Sequence, residues 1–393
     1  MLFSHFQDLT ANAVNKHIQM ISNIKVSVDD NATRLFPTDI IFTQTEDFFI
    51  FELIGASPKP RTVGRKIRKC RSIDEYFGLF KGNNIEGNPA VYFAGSDSGF
   101  FGTCVATDNA LDAGDRFPIL NKYETKLNRQ DGSGPLFTFG PEANNISIGD
   151  CLIASSYNNV TRCKAINFLH VLKKRTKSFE YKKKVDSILL PERSSGESIV
   201  HGVITCSEKS TNLVLMSQFQ SLFLSSGVHE TTIGSFVESH PEIIKGLFGT
   251  DEFRYEPSLD WIEHDGSVQD SSINPDLMVS RTDGYFDIVD LKLARTDRAK
   301  LTKGPRKRRR FVDYVYEGLS QLANYEFYFS FEKNRSFAYR KHGISVRQPR
   351  LFLVVGSNEN IQSDEVNEAL RAHGNSRFTI IDYDTLAQSL YKL

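Results

Sequence analysis

The sequence lacks the patterns that several classes of protein require. Its five cysteines are odd in number, scattered and never in CxxC spacing, which argues against a disulfide framework and against a structural zinc site. No window approaches the roughly 18 consecutive apolar residues of a membrane span, and the amino-terminal segment has no charged-then-apolar signal. A cytoplasmic protein is therefore expected.

Motifs for several common chemistries are also absent. The chain contains no GxxxxGK[ST] loop, no GxSxG elbow, no HExxH and no GxGxxG after a strand, so no nucleotide cofactor is expected. Lysine plus arginine and aspartate plus glutamate both number 48, and the total charge therefore does not indicate a partner. Function has to be inferred from local patterns.

The chain divides into two regions of different pattern. Residues 35–165 contain short β-type runs broken by glycine, asparagine, aspartate and serine, and residues 164–187 are basic and compatible with a helix. A Pro/Gly/Ser-rich stretch at 190–198 predicts a linker. We therefore expect a β-rich α+β N-terminal region at 1–190, with one or two subdomains, and a mixed α/β domain at 200–393, where helices alternate with strands.

Two aspartates are expected to face each other on a hairpin within the second region. The strands PDLMVSR and YFDIVDLKL are joined by Thr282-Asp283-Gly284. If these three residues form the loop, Asp276 lies directly opposite Asp290, and Gly284 occupies the position that favours a left-handed residue. A two-residue loop would shift the register by one and separate the two carboxylates.

Facing carboxylates are destabilising unless something neutralises them, and a hard divalent cation such as Mg²⁺ does so through oxygen ligands. Lys292 shares a strand face with Asp290 and adds a positive charge beside a scissile phosphate. A third carboxylate would complete the site: Glu230 is the first candidate, and Glu252 and Glu256 are alternatives. Acid-x-Lys triplets also occur elsewhere in the chain, so the prediction rests on the combination of the Pro-Asp dipeptide, the hairpin and the apolar strand.

Two further features follow the hairpin. Gln321 and Tyr325 are spaced i, i+4 on a predicted helix and share one face, where the glutamine amide could orient Lys292 or simply pack at the rim. Between hairpin and helix, ten of the twenty residues from Leu291 to Arg310 are lysine or arginine, against the single acid Asp297. Such runs are often solvated loops, but here the run leaves the proposed site, where it would contact a phosphate backbone. The predicted nucleic-acid-binding residues are Arg295, Lys303, Arg306, Lys307, Arg308, Arg309 and Arg310.

The order of these motifs resembles a known family. A glutamate helix, an NPD strand, a D-x-K strand and a Q-x-x-x-Y helix, from about His229 to Tyr328, resemble the nuclease domain of the Shedu anti-phage defence proteins, of the PD-(D/E)xK superfamily with its restriction-endonuclease-like α/β fold. The resemblance implies that Glu230, Asp276 and Asp290 hold the metal, Lys292 assists catalysis and Gln321 supports it.

The resemblance also implies a function. We expect a Mg²⁺-dependent endodeoxyribonuclease, with Mn²⁺ as a substitute, which cleaves phage DNA and forms a homo-oligomer, with a tetramer favoured. The N-terminal region would regulate or direct the nuclease. The alternatives are a repair or recombination nuclease of the same fold, or a catalytically silent nucleic-acid-binding module.

Overall fold

The computed structural model divides the chain into two compact units, Met1–Val228 and His229–Leu393. The residues that it describes are 1–22, 32–71, 76, 79, 90–94, 103–106, 127–129, 145–157, 160–190, 202–225, 228–267, 270–372, 374 and 376–392. None of the helices among them is long and apolar enough to cross a membrane.

The N-terminal unit is built on an eight-stranded sheet. Its helices are α1 (Phe3–Ser22), α2 (Ser178–Leu189) and α3 (Glu208–Leu224). Its strands are β1 (Ala32–Leu35), β2 (Asp39–Gln44), β3 (Phe48–Ile54), β4 (Gly64–Lys69), β5 (Ala90–Ala94), β6 (Thr103–Ala106), β7 (Leu127–Arg129), β8 (Asn145–Tyr157), β9 (Val160–Lys173) and β10 (Ile204–Ser207). The sheet order is β4-β2-β3-β9-β8-β6-β5-β7, and β1 pairs with β10 separately. The β-rich α+β prediction agrees with this arrangement.

The stretch predicted to be helical at 164–187 is a helix only in its second half. Its first ten residues belong to β9, which pairs antiparallel with both β3 and β8. The side chains of this part of β9 are buried, so the local helical compatibility is overridden by pairing with two distant strands. Helix α2 begins only at Ser178.

The N-terminal unit ends at Val228, about 30 residues after the predicted linker. The predicted linker at 190–198 falls, except for its first residue, outside the described residues. Helix α3 follows β10 and packs on β9, where Oε1 of Gln220 accepts the N–H of Cys163 at 2.7 Å. Residues up to the end of α3 therefore belong with the N-terminal unit, in contrast to the predicted start of the second domain at 200.

The C-terminal unit is a mixed α/β structure, as predicted. Its helices are α4 (Glu230–Ser239), α5 (Glu242–Phe248), α6 (Asp313–Tyr328), α7 (Glu332–His342), α8 (Ser363–Ala372) and α9 (Tyr383–Gln388), followed by a 3₁₀ turn (Ser389–Lys392). Its strands are β11 (Phe253–Tyr255), β12 (Leu259–Asp260), β13 (Ser272–Ile273), β14 (Leu277–Ser280), β15 (Phe286–Leu291), β16 (Thr302–Lys303), β17 (Arg310–Phe311), β18 (Leu351–Val354) and β19 (Phe378–Ile381).

Five of these strands form the central sheet, in the order β11-β14-β15-β18-β19. Strand β14 is antiparallel to β11 and to β15, whereas β15, β18 and β19 run parallel to one another. Helix α6 packs on β15 and β18, and its buried residues join Met278, Ile288 and Leu353 in one apolar core. Because side chains alternate along a strand, this core marks the sheet face on which the even-numbered residues of β14 and β15 lie.

Candidate active site

A tight turn fixes the hairpin between β14 and β15. The N–H of Arg281 donates to the carbonyl of Tyr285 at 2.8 Å, and the N–H of Gly284 donates to the carbonyl of Arg281 at 3.0 Å. Gly284 has a φ of +80°, in the left-handed region that a residue with a Cβ rarely adopts. The predicted three-residue loop, closed by a left-handed glycine, is confirmed.

The register of this hairpin places the two aspartates opposite each other. Leu277 pairs with Val289, so one step further along both strands Asp276 meets Asp290. The N–H of Leu291 also donates to Oδ2 of Asp276 at 2.6 Å, which ties the two strand ends together. The geometric prediction on which the site depends is therefore confirmed.

Burial makes the acid pair electrostatically unfavourable. Asp290 is only 1% exposed, and Asp276 is partly buried. Burial raises the pKa of Asp276 to about 6, which the N–H of Leu291 only partly offsets. Burial, followed by the charge of Asp276, raises the pKa of Asp290 to about 7. Two ionised carboxylates are thus costly at this position without a cation.

Lys292 is the nearest cation. It follows the end of β15, is 7% exposed, and its Nζ lies 3.1 Å from Oδ2 of Asp290. Apart from this ammonium, Oδ2 of Asp290 has no hydrogen-bond partner among the described residues. Burial alone would lower the pKa of Lys292, but the neighbouring carboxylates, first of all Asp290, raise it. Lys292 is therefore charged and directed at the acid pair, as its position two residues after Asp290 suggested.

Glu230, the first residue of α4, lies on the other side of Lys292. Its Oε2 is 4.0 Å from Nζ of Lys292. Its Oε1 accepts hydrogen bonds from the hydroxyl of Tyr314 at 2.6 Å and from the N–H of Leu293 at 3.2 Å. The structure thus brings Glu230, Lys292 and the acid pair to one end of the hairpin.

The two alternative acids differ from each other. Glu252 lies 3.6 Å from the guanidinium of Arg254 and forms an exposed ion pair with it. Glu256 follows β11 with a φ of +41°, an uncommon conformation for a non-glycine residue, and its N–H donates to the carbonyl of Asp276 at 3.0 Å. Its charge contributes to the raised pKa of Asp276. Glu256, and not Glu252, is therefore a neighbour of the acid pair.

The donor set fits a hard divalent cation in part. Asp276 and Asp290 face each other, their pKa values are raised, and the buried Oδ2 of Asp290 contacts only the ammonium of Lys292 among the described residues. Two such carboxylates match the oxygen ligands that Mg²⁺ prefers. However, no group of three or more histidine, cysteine, aspartate or glutamate side chains in the described part of the chain is arranged to hold an ion. The expected three-carboxylate set is not preassembled, because Oε1 of Glu230 is engaged by Tyr314 and Lys292 lies between Glu230 and Asp290.

Helix α6 covers the acid pair with the face predicted from its spacing. A Cβ at Gly318 would lie 3.4 Å from Cγ of Lys292, so this glycine allows the helix to approach the lysine. One turn further on the same face, Oε1 of Gln321 is buried without a hydrogen-bond partner among the described residues. Tyr325 follows at i+4, and burial, then the charges of the two aspartates, raises the pKa of its hydroxyl. Gln321 and Tyr325 thus share one face of α6, as their spacing predicted.

Two tyrosines at the site were not identified from the sequence. Tyr314 contacts Glu230, and burial followed by this hydrogen bond raises the pKa of its hydroxyl. Tyr383, the first residue of α9, is fully buried, and burial together with the charges of Tyr314 and the acids raises its pKa. Neither could be selected in advance, since the chain has 14 tyrosines and these two belong to no spacing pattern.

The basic run forms a short hairpin rather than a loop. Strands β16 and β17 pair antiparallel, and the segment between them turns at Gly304 and Lys307, both with positive φ. We call residues 302–311 the basic hairpin. Helix α8 holds it in place, because Glu365 accepts a hydrogen bond from the hydroxyl of Thr302 at 2.5 Å and Glu368 accepts one from the backbone N–H of Lys307.

The predicted nucleic-acid-binding residues separate into two groups. Three pair with acids of the same unit: Arg295 with Asp297 at 3.0 Å, Lys303 with Asp313 at 2.8 Å, and Arg309 with Glu365 at 2.8 Å and Glu368 at 3.2 Å. The side chains of the other four are exposed and have no ion-pair partner among the described residues. We call these four the hairpin-tip cations: Arg306, Lys307, Arg308 and Arg310. Among the described residues, Arg306 and Arg310 still interact electrostatically with Glu368 and Asp313, but without forming an ion pair.

Part of the chain matches a known protein family. Residues 227–387 match the family model described as Shedu protein SduA, C-terminal, a segment that covers nearly all of the C-terminal unit. A search of curated proteins found none that matches the chain.

Proposed function

Because residues 227–387 belong to the Shedu family, which suggests a role in anti-phage defence, we propose that this protein is a divalent-cation-dependent DNA endonuclease of the PD-(D/E)xK type. The observation that carries the proposal is the buried pair Asp276 and Asp290 in opposed register, with Lys292 beside it. Such a pair has no inexpensive structural explanation, since burial and mutual repulsion both oppose its ionisation.

In the proposed reaction the acids form the cation site. Asp276 and Asp290 would hold Mg²⁺ or Mn²⁺, with Glu230 as the third carboxylate. When bound, such an ion polarises a phosphoryl oxygen and lowers the pKa of its water. Lys292 would offset the charge that develops on the phosphate, which is the role of preorganised positive groups in a water-poor site. Gln321, whose Oε1 has no hydrogen-bond partner among the residues that the structure describes, would orient the Lys292 ammonium.

The basic hairpin would bind the DNA backbone. The exposed side chains of the hairpin-tip cations form no ion pair with an acid in the described part of the chain. Contacts of lysine and arginine with phosphates are the usual source of affinity that is independent of sequence. The paired residues Arg295, Lys303 and Arg309 would instead shape the hairpin and its base. We also expect a homo-oligomer, and light scattering of the full chain would test this.

Cleavage of plasmid DNA with Mg²⁺ tests the catalytic part. We expect wild-type protein to cut, and Asp290→Ala and Lys292→Ala to lose activity by at least about 100-fold, the usual cost of removing one transition-state stabiliser. Lys300→Ala is the matched control, because Lys300 is in the same basic run but pairs with Glu365 at 2.9 Å. Circular dichroism would verify that each variant folds. Equal cutting by all four proteins would exclude the proposed site.

Phage plating efficiency tests the biological part. Cells that produce the wild-type protein should resist phage, whereas cells that produce the Asp290→Ala variant should not. A nuclease that cuts DNA in vitro but gives no protection would favour the repair or recombination alternative, since both share the chemistry. Protection by the inactive variant would favour a silent DNA-binding module.

A further inference from the structure

One tyrosine connects the third acid to the end of the catalytic strand. The hydroxyl of Tyr314 donates to Oε1 of Glu230 at 2.6 Å, and the backbone N–H of Leu293 donates to the same hydroxyl at 2.5 Å. The N–H of Leu293 also reaches Oε1 of Glu230 directly at 3.2 Å. The Tyr314 hydroxyl and the Leu293 N–H thus donate to the same oxygen of this carboxylate.

The second oxygen of this carboxylate is directed toward the site. Oε2 of Glu230 lies 4.0 Å from Nζ of Lys292, which in turn lies 3.1 Å from Oδ2 of Asp290. Glu230 is the first residue of a helix and its side chain is 37% exposed, so without the hydrogen bonds on Oε1 it could rotate into solvent. The contact with Tyr314 therefore restricts the direction of the oxygen that remains available.

The tyrosine itself is well fixed. Tyr314 lies in the first turn of α6, three residues beyond the end of the basic hairpin, and the guanidinium of Arg295 lies over its ring at 5.4 Å. The ring therefore contacts Arg295, while the hydroxyl contacts both Glu230 and Leu293.

We propose that Tyr314 is a positioning residue, which orients Glu230 so that Oε2 becomes a ligand of the cation at Asp276 and Asp290. This inference rests on the proposed function, because it assumes that a cation binds there. Hydrogen bonds to the non-ligating atom of a ligand side chain fix its orientation, and their loss typically lowers metal affinity by about 10–100-fold. Tyr314 and Leu293 make contacts of this kind with Oε1 of Glu230.

Calorimetric titration of the full chain with Mg²⁺, and separately with Mn²⁺, tests the proposal. We expect Tyr314→Phe to weaken the affinity for either ion by about tenfold or more, while the ring and its packing are kept. Tyr328→Phe is the matched control: it removes a hydroxyl on the same helix that donates to the carbonyl of Asp260 at 3.0 Å, away from the acids. This control should bind metal like wild type and should separate loss of stability from loss of orientation.

A double-mutant cycle shows whether Tyr314 acts through Glu230. In a Glu230→Ala background, the additional Tyr314→Phe substitution should have no further effect on the dissociation constant. An unchanged affinity of Tyr314→Phe, or an equal loss with and without Glu230, would overturn the positioning role alone. Wild-type protein that binds neither ion would instead overturn the proposed function together with this inference.

Discussion

Replacement of Asp290 by asparagine should stabilise the metal-free protein at neutral pH. This is the reverse of what most substitutions of a buried polar residue do. Asp290 faces another carboxylate, and burial raises its pKa to about 7. By contrast, Asp287, three residues earlier on β15 and equally buried, accepts hydrogen bonds from the backbone N–H and Nε of Arg350, both at 2.8 Å. Asp287→Asn is therefore the matched control, with the opposite expected sign.

The magnitude follows from the linkage between protonation and folding. An unfolded aspartate titrates near pH 3.9, so between about pH 4 and about pH 7 the folded protein holds a proton on Asp290 that the unfolded chain has lost. The free energy of unfolding therefore falls as the pH rises through this window and stays low above it. The difference between the two pKa values corresponds to about 4 kcal/mol, which Asp290→Asn should recover in part or whole. Asp287→Asn should instead cost about 1.5–3 kcal/mol, the usual contribution of a hydrogen bond to a charged group, because the Arg350 side chain is 61% exposed and is not left buried without its partner.

Urea denaturation in the presence of EDTA would measure both effects. The chain has a single tryptophan, Trp261, whose ring lies 5.0 Å from that of Tyr328, so its fluorescence reports the unfolding of the C-terminal unit. The gain of Asp290→Asn over wild type should be small near pH 4 and complete near pH 8. Mg²⁺ at about 100 times its dissociation constant should then stabilise wild type by about 2.7 kcal/mol and leave Asp290→Asn unchanged.

Destabilisation by both substitutions to a similar extent would refute this reasoning. It would mean that Asp290, like Asp287, is satisfied by its surroundings, and that the acid pair needs no cation. A gain that did not depend on pH would equally contradict it, since the cost arises only when the carboxylate ionises.

Three further predictions concern the basic hairpin and two glycines. Alanine at all four hairpin-tip cations should reduce the slope of log affinity for a DNA duplex against log salt concentration by up to about 3.6. Arg309→Ala should leave this slope unchanged and lower thermal stability. Fluorescence anisotropy would measure the slope, and a melting curve would measure the stability. Gly284→Ala should cost about 1–2 kcal/mol in urea denaturation from its positive φ alone, since no other atom lies within 4 Å of the added Cβ. Gly318→Ala should lower the free energy of unfolding by about 1–3 kcal/mol, because the added Cβ would lie 2.6 Å from Cδ1 of Leu353. It should also lower nuclease activity, because α6 would be displaced from Lys292.

The hairpin was predictable because its geometry is decided locally. A three-residue loop with glycine at the left-handed position leaves one register, and that register fixes which residues face each other over the whole ladder. The same is true of Gln321 and Tyr325, whose spacing on one helix settles their common face. Features of this kind depend on neighbours in the sequence.

Features that depend on distant partners were not predictable in the same way. The first half of the segment at 164–187 became a strand because β3 and β8 pair with it on both sides. The sequence does not distinguish among the cations of the basic run, yet Arg309 is neutralised by Glu365 and Glu368, which follow it by more than fifty residues. Likewise, the contact of Tyr314 with Glu230 joins residues 84 positions apart. No periodicity in one sequence indicates such pairs.

The charges at the site also explain why Lys292 alone does not neutralise the carboxylates around it. Three carboxylates, Asp276, Asp290 and Glu230, face one ammonium, so full ionisation would leave two negative charges, the number that one divalent cation neutralises. Without the ion, protons on the aspartates supply part of this compensation, as their raised pKa values indicate. Cation binding at neutral pH should therefore release protons, and the heat of binding should vary with the ionisation enthalpy of the buffer. It would also free the ammonium of Lys292 from Asp290, which is what a role at the phosphate requires.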